Sequence, residues 1–129
     1  MFTGLVTELG KVVDIARGES SAIFTISAPA STAELSVGDS IAVNGVCLTA
    51  TSINDGSFTA DVMVQTLNLT SLAQVEIGTP MNLELAAQMD MRMGGHIVQG
   101  HVDGVATVLQ SAPGVKWVQF DITVPEHLM

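Results

Sequence analysis

The side chains able to do chemistry are few and fall in short stretches. Cys47, the one cysteine, follows Asn44-Gly45 in an apolar run. A free thiol there reads first as a small core residue. The sharper alternative is a polarisable group on a pocket wall, or a thiolate, which needs a basic neighbour. Gly94-Gly95-His96 and Gly100-His101 set two imidazoles on a glycine-rich stretch. Imidazole titrates near neutral pH and can move protons, although a linker whose histidines bond to backbone has the same pattern. Asp61 and Gln65-Thr66 flank Val62-Met63-Val64 at the end of another run, where Asp commonly serves a turn. Asp61 has no acidic neighbour, so paired-carboxylate catalysis has no support. Two His and one Cys at scattered positions lack a metal-ligand spacing, and neither a P-loop nor a dinucleotide fingerprint occurs. No metal is expected. Thiol, imidazole, hydroxyl and backbone groups make a mostly uncharged lining, which suits a flat neutral heterocycle better than a phosphate.

Short β-rich runs must position these groups. Gly4 to Ile15 is followed by a turn at Ala16 to Ser20, and Ala22 to Ser27 reads as a strand ending at Pro29. Ser40 to Val43 and Cys47 to Ile53 flank Asn44-Gly45, the strongest short hairpin signal. Asn54-Asp55-Gly56 repeats that chemistry before Phe58 to Met63. Thr66 to Ala73 is the one expected helical turn, and Met81 to Leu85 alternates as a strand. Met81, Met89, Met91 and Met93 read as gap-filling core or linker packing. Strands at this spacing imply an all-β barrel or sandwich.

At 129 residues, 47% hydrophobic and 13% charged, the chain can bury a real core and is not disordered. Four basic against 13 acidic side chains give a net charge of −9, and Lys11, Arg17, Arg92 and Lys116 are scattered. No basic stripe exists to neutralise phosphates, so nucleic acid is not an expected partner. One cysteine allows no internal disulfide. The N-terminal Met1 to Val6 lacks a basic n-region and a long apolar h-region, and no apolar run reaches membrane-spanning length. No membrane partner is expected, and the expected location is cytoplasmic.

The sequence also repeats itself. Gly100-His101-Val102 lies over Gly4-Leu5-Val6 at an offset of 96, and the same offset pairs Val108 with Val12, Phe120 with Phe24, Ile122 with Ile26 and Pro125 with Pro29. A first unit over 1–97 and the beginning of a second over 98–129 are expected. Two strands cannot bury their own apolar face, so the chain is expected either to be cut from a longer protein or to pair its tail with something else.

Three stretches carry a family resemblance: Met1-Phe2-Thr3-Gly4-Leu5-Val6, Ser40 through Thr49 with Asn44-Gly45-Val46-Cys47-Leu48, and Gly94-Gly95-His96 through Gly100-His101-Val102-Asp103-Gly104. In this order they resemble riboflavin synthase, the trimeric form built of two similar barrels. The resemblance implies a six-stranded Greek-key barrel, followed here by the first two strands of an incomplete second one. It implies dismutation of two 6,7-dimethyl-8-ribityllumazine molecules by four-carbon transfer, giving riboflavin and 5-amino-6-ribitylamino-uracil, with no cofactor. It further implies a homo-oligomer, trimeric at full length with a dimer open to these 129 residues, and association with lumazine synthase. Carried over by motif, Gly4, Leu5, Val6, Val46, Cys47, Leu48, Asp61, Val62, Met63, Val64, Gln65, Thr66, Gly100, His101 and Val102 would contact substrate. Cys47, Ser40 and His96 would assist catalysis. The chain departs from the family in having Gln65-Thr66-Leu67 for Glu-Thr-Leu, which removes a carboxylate from the site wall. Leu85 replaces a family Arg, a change expected at a surface or interface pair. A non-catalytic lumazine- or flavin-binding protein is the competing expectation.

Overall fold

Two tight turns set the register of the central strands. Asn44 (φ 49°) precedes Gly45 (φ 79°), and Asp55 (φ 47°) precedes Gly56 (φ 77°). Two successive left-handed residues make a type I′ turn, whose twist matches that of the flanking strands. In the computed structural model, which describes all 129 residues, these turns join β3 (Ser40–Val43) to β4 (Val46–Asn54) and β4 to β5 (Ser57–Met63). With β1 (Glu8–Arg17), β2 (Ser21–Ser27) and β6 (Pro80–Leu85) they close an antiparallel barrel in the order β1-β2-β5-β4-β3-β6. Strand β2 pairs with β1 on one edge and with β5 on the other, and β6 returns between β3 and β1, which is a Greek key. The expected barrel is therefore the observed one.

Alternation fills it. Ala22, Phe24 and Ile26 of β2, Phe58, Ala60 and Val62 of β5, and Val46, Leu48 and Ala50 of β4 all point inward, with Ile41, Val43, Met81, Leu83 and Val12 completing the wall. Period-two burial of this kind fixes register, because a one-residue slip would turn every apolar side chain outward. Met81 is fully buried, whereas Met89, Met91 and Met93 lie exposed in the segment after β6, as linker and not as core. Leu85 packs against the core from a half-buried position, so the place of the family Arg is not a simple surface site. No helix is long and apolar enough to cross a membrane.

Two elements differ from expectation. Strand β1 continues through Ala16 and Arg17, which pair with Ile23 and Ala22, so the turn shortens to Gly18–Ser20. A helical turn, α1 (Pro29–Thr32), follows β2 where only a strand end was expected. Its own N-cap, Ala28, has no side chain to bond the free amides, and Glu8 of β1 does so instead. The Glu8 carboxylate accepts from Ala30 N (2.9 Å) and Ser31 N (2.8 Å). Burial acts to raise the Glu8 pKa, but hydrogen bonds from the Ser31 side chain and from the Ala30 and Ser31 amides outweigh it and hold the carboxyl below its ordinary 4.5. A depressed folded-state pKa contributes stability above the unfolded value that is lost as pH falls through the folded one. Glu8→Gln should therefore lower the urea midpoint at neutral pH, and its difference from wild type should shrink as pH falls below 4.5. A difference that persists unchanged into that acid range would show that the charge is not responsible.

Beyond the barrel, β7 (Val108–Pro113) and β8 (Val118–Ile122) form a separate hairpin. Its register repeats that of β1 and β2 pair for pair. Val12 faces Ile26 and Val108 faces Ile122, while Ile15 faces Phe24 and Ser111 faces Phe120. Each ladder shifts register once, between Val12 and Asp14 and between Val108 and Gln110, so the irregularity also recurs at the offset of 96. What differs is burial. Phe24 and Ile26 are fully buried, whereas Phe120 and Ile122 are 61% and 54% exposed.

Candidate functional site

Alternation along β4 decides where Cys47 goes. Val46 and Leu48 face the core, so Cys47 faces outward, half-buried, opposite Ala42 of β3. It is not a core residue. Over it runs the segment after residue 95, held by a hydrogen bond from Cys47 N to Gly100 O (3.0 Å). Gly100 has φ +80°, and a Cβ there would lie 2.9 Å from both Cys47 Cβ and Cys47 N. Only glycine lets the segment lie this close to the strand.

The third wall is α2 (Val64–Leu69), which begins where β5 ends. Gln65 and Leu69, like Thr66 and Thr70, are one helical turn apart and share a face. With Val46, Cys47, Gly100, His101 and Val102 they enclose a cavity of about 230 Å³. That is below the ~300–1,000 Å³ usual for small-molecule pockets. Thr70 Oγ1 donates to Thr66 O (2.7 Å) and accepts from Leu72 N (3.2 Å), locking the end of the helical turn. The lining has no carboxylate and no Lys or Arg.

The expected site residues divide. Val46, Cys47, Gln65, Thr66, Gly100, His101 and Val102 meet at this cavity. Leu48 and Val62 point into the barrel core, so only their backbone is open to a ligand. Asp61 and Met63 are exposed at the end of β5, and Val64 is exposed at the start of α2. Ser40 shares the outer face of β3 and β4 with Cys47, two pairs along, opposite Thr49. His96 is exposed and lies against Gly4, where a Cβ would come 2.9 Å from its Cε1. Gly4 and Val6 line a separate cleft with Phe2, Ala42, Asn82 and Glu84, and Leu5 stands exposed beside it. Leu69 and Thr70 escaped the sequence reading. A helix begun at Val64 in place of Thr66 would have set them beside Gln65 and Thr66.

The sequence pattern of the lumazine-binding domain matches residues 3–86, which hold the whole barrel. The chain belongs to the lumazine-binding domain family. Among its relatives, the chain is 43% identical over 129 residues to riboflavin synthase of Actinobacillus pleuropneumoniae, covering all of this chain and 60% of that protein. It is 47% identical over 126 residues to riboflavin synthase of Mycobacterium tuberculosis H37Rv, covering 97% of this chain and 63% of that one. The chain thus spans about three-fifths of the length of these relatives. Among solved structures it is similar to LumP complexed with riboflavin, with a TM-score of 0.87 at 26% identity over 100% of this chain and 70% of that one. LumP complexed with 6,7-dimethyl-8-(1'-D-ribityl) lumazine gives a TM-score of 0.88 at 26% identity, over 100% and 72%.

Proposed function

We propose that this chain is the lumazine-recognising N-terminal part of a riboflavin synthase, with 1–97 as one barrel unit and 98–129 as the beginning of a second. The observation that carries the reading is the cavity over Cys47, uncharged, ring-sized and walled by Gln65, Thr66 and the Gly100-His101-Val102 strap. Its position on the barrel's outer face leaves a bound ring open on one side. Such a site can present one 6,7-dimethyl-8-ribityllumazine to a second, and dismutation by four-carbon transfer needs two of them face to face. Orientation of that pair would supply much of the acceleration. Cys47 is the side chain best placed to act on the ring. Ser40 lies near enough on the same face to assist, and His96 would need a second protein surface to bring it to the ligand. A cavity of this kind holds one ring, so these 129 residues alone should bind ligand and turn over weakly.

The offset of 96 makes Gly4-Leu5-Val6 the counterpart of Gly100-His101-Val102, and both glycines take φ near +80°. Each strap precedes one barrel unit. Because the second strap walls the first unit's cavity, the first strap would in turn serve a cavity of the second unit. The reading extends to a homo-oligomer, for which exposed Val108, Phe120 and Ile122 offer apolar contact surface. A cytoplasmic location suits the free thiol of Cys47.

Riboflavin titrated against the chain should bind at one site and protect Cys47 from alkylation by iodoacetamide several-fold. Conversely, the alkylated protein should no longer bind. Unaltered labelling at saturating riboflavin would place the ligand elsewhere. A non-catalytic carrier is the second reading, favoured by the likeness to LumP. Riboflavin formed from 6,7-dimethyl-8-ribityllumazine by the full-length protein separates the two, and there Cys47→Ser should lower the rate more than the affinity.

A further inference from the structure

Glu84 is the one buried carboxylate in the chain, at 8% exposure, and alternation along β6 points it away from the core. Met81 and Leu83 fill the barrel, so Glu84 should stand in water on the outer wall opposite Ala42. The N-terminal arm covers it instead. One carboxylate oxygen, Oε2, accepts from Thr3 N and from Thr3 Oγ1, each at 2.7 Å, and Oε1 accepts from Gly4 N at 3.0 Å. Charge-assisted bonds to a buried carboxylate are strong, and removing the acceptor leaves buried donors unpaired.

The arm passes this constraint on. Phe2 and Val98 exchange both backbone bonds (2.7 and 3.0 Å), and His96 N donates to Thr3 O (2.9 Å). Two residues after Val98 comes Gly100, whose carbonyl accepts from Cys47 N. A path of hydrogen bonds and covalent backbone therefore runs from β6 through the arm into the strap that walls the cavity. None of these links lies in the barrel core, and Phe2 is buried outside the core cluster.

We infer that Glu84 is a positioning residue for the ligand cavity: by fixing Thr3 and Gly4 it sets the segment 96–102 over Cys47. It touches no ligand, and the inference rests on the reading of that cavity as the flavin and lumazine site.

The test compares Glu84→Ala, Glu84→Gln, Thr3→Val and Thr3→Ser in the full chain, reading riboflavin affinity by fluorescence quenching and amide exchange residue by residue. Glu84→Ala should weaken riboflavin at least tenfold and speed exchange at His96, Val98 and Cys47, while Phe24 and Phe58 amides keep their protection. Thr3→Val, which loses one of the three bonds, should fall between that variant and wild type. Thr3→Ser, which keeps the hydroxyl, should behave as wild type. Should Glu84→Ala fail to fold, Glu84→Gln and Thr3→Val carry the same comparison. Unchanged exchange at His96, Val98 and Cys47 would overturn the inference, as would fast exchange there with unchanged riboflavin affinity. Global loss of protection in Glu84→Gln and Thr3→Val would overturn it too, by making Glu84 a stability residue. If wild type does not bind riboflavin, the functional reading fails, and the exchange pattern alone then decides whether Glu84 sets the strap.

Discussion

Gly100→Ala is expected to lower riboflavin affinity on the order of 100-fold, or ~2.8 kcal/mol at ~1.4 kcal/mol per decade. Two costs combine. An L-residue in the left-handed region costs ~1–2 kcal/mol, and Gly100 holds φ +80°. The added methyl would also meet Cys47 N and Cβ at 2.9 Å and Gly45 O at 3.2 Å, which are backbone neighbours, apart from one Cβ, in a hydrogen-bonded strand. The strand is fixed by its ladder, so the strap must yield and the cavity loses a wall. Gly38→Ala is the matched control: its φ of +95° is as unfavourable, but nothing lies within 4 Å of the new methyl. It should cost ~1 kcal/mol of stability and leave affinity alone. Equal affinity losses in the two variants would show that backbone strain, and not the strap's approach to Cys47, governs binding.

Phe24→Ala should destabilise the barrel by ~3–5 kcal/mol, the range for deleting a buried aromatic side chain. Phe24 is fully buried at the centre of β2, between its partners Ile15 and Ala60, and no neighbour can collapse into the space without breaking a ladder. Its counterpart provides the internal comparison. Phe120 occupies the same place in the β7–β8 hairpin but is 61% exposed in the single chain, and at concentrations where the protein is monomeric Phe120→Ala should stay within ~0.5 kcal/mol. Urea unfolding of both variants checks this, with an unchanged m-value as the sign that only the folded state was altered. A large loss for Phe120→Ala would mean that the hairpin's apolar face is covered in solution.

Features held by neighbouring residues were legible in the sequence. Asn44-Gly45 and Asp55-Gly56 fix two turns whatever surrounds them, and the repeat carries the pairing of β1 with β2 onto β7 with β8. Elements that depend on distant partners were not. Helix α1 draws its cap from Glu8, 22 residues before Ala30, so no local signal announces it. Glu84 reads as an ordinary outward strand residue until the arm, 81 positions earlier at Thr3, lies across it. The same holds within the candidate site. The strap motifs Gly4-Leu5-Val6 and Gly100-His101-Val102 are alike in sequence, yet which surface each one lines is a matter of tertiary placement. Only the second reaches Cys47.

The seam that closes the barrel has a consequence for the order of assembly. Four pairs, from Glu8 with Leu83 to Lys11 with Pro80, join the first strand to the last. Hairpins with two-residue loops such as β3–β4 and β4–β5 form on the microsecond scale, but this seam must first close a loop of most of the barrel's length, and long-range pairing of that kind slows folding. The arm and the strap can settle only afterwards, because Glu84 stands on β6 and Thr3 lies in the arm that leads into β1 across that seam. Newly made chains should therefore gain their fluorescent Trp117 hairpin environment and most strand content before they can hold a flavin. Refolding followed by riboflavin quenching should lag refolding followed by backbone circular dichroism.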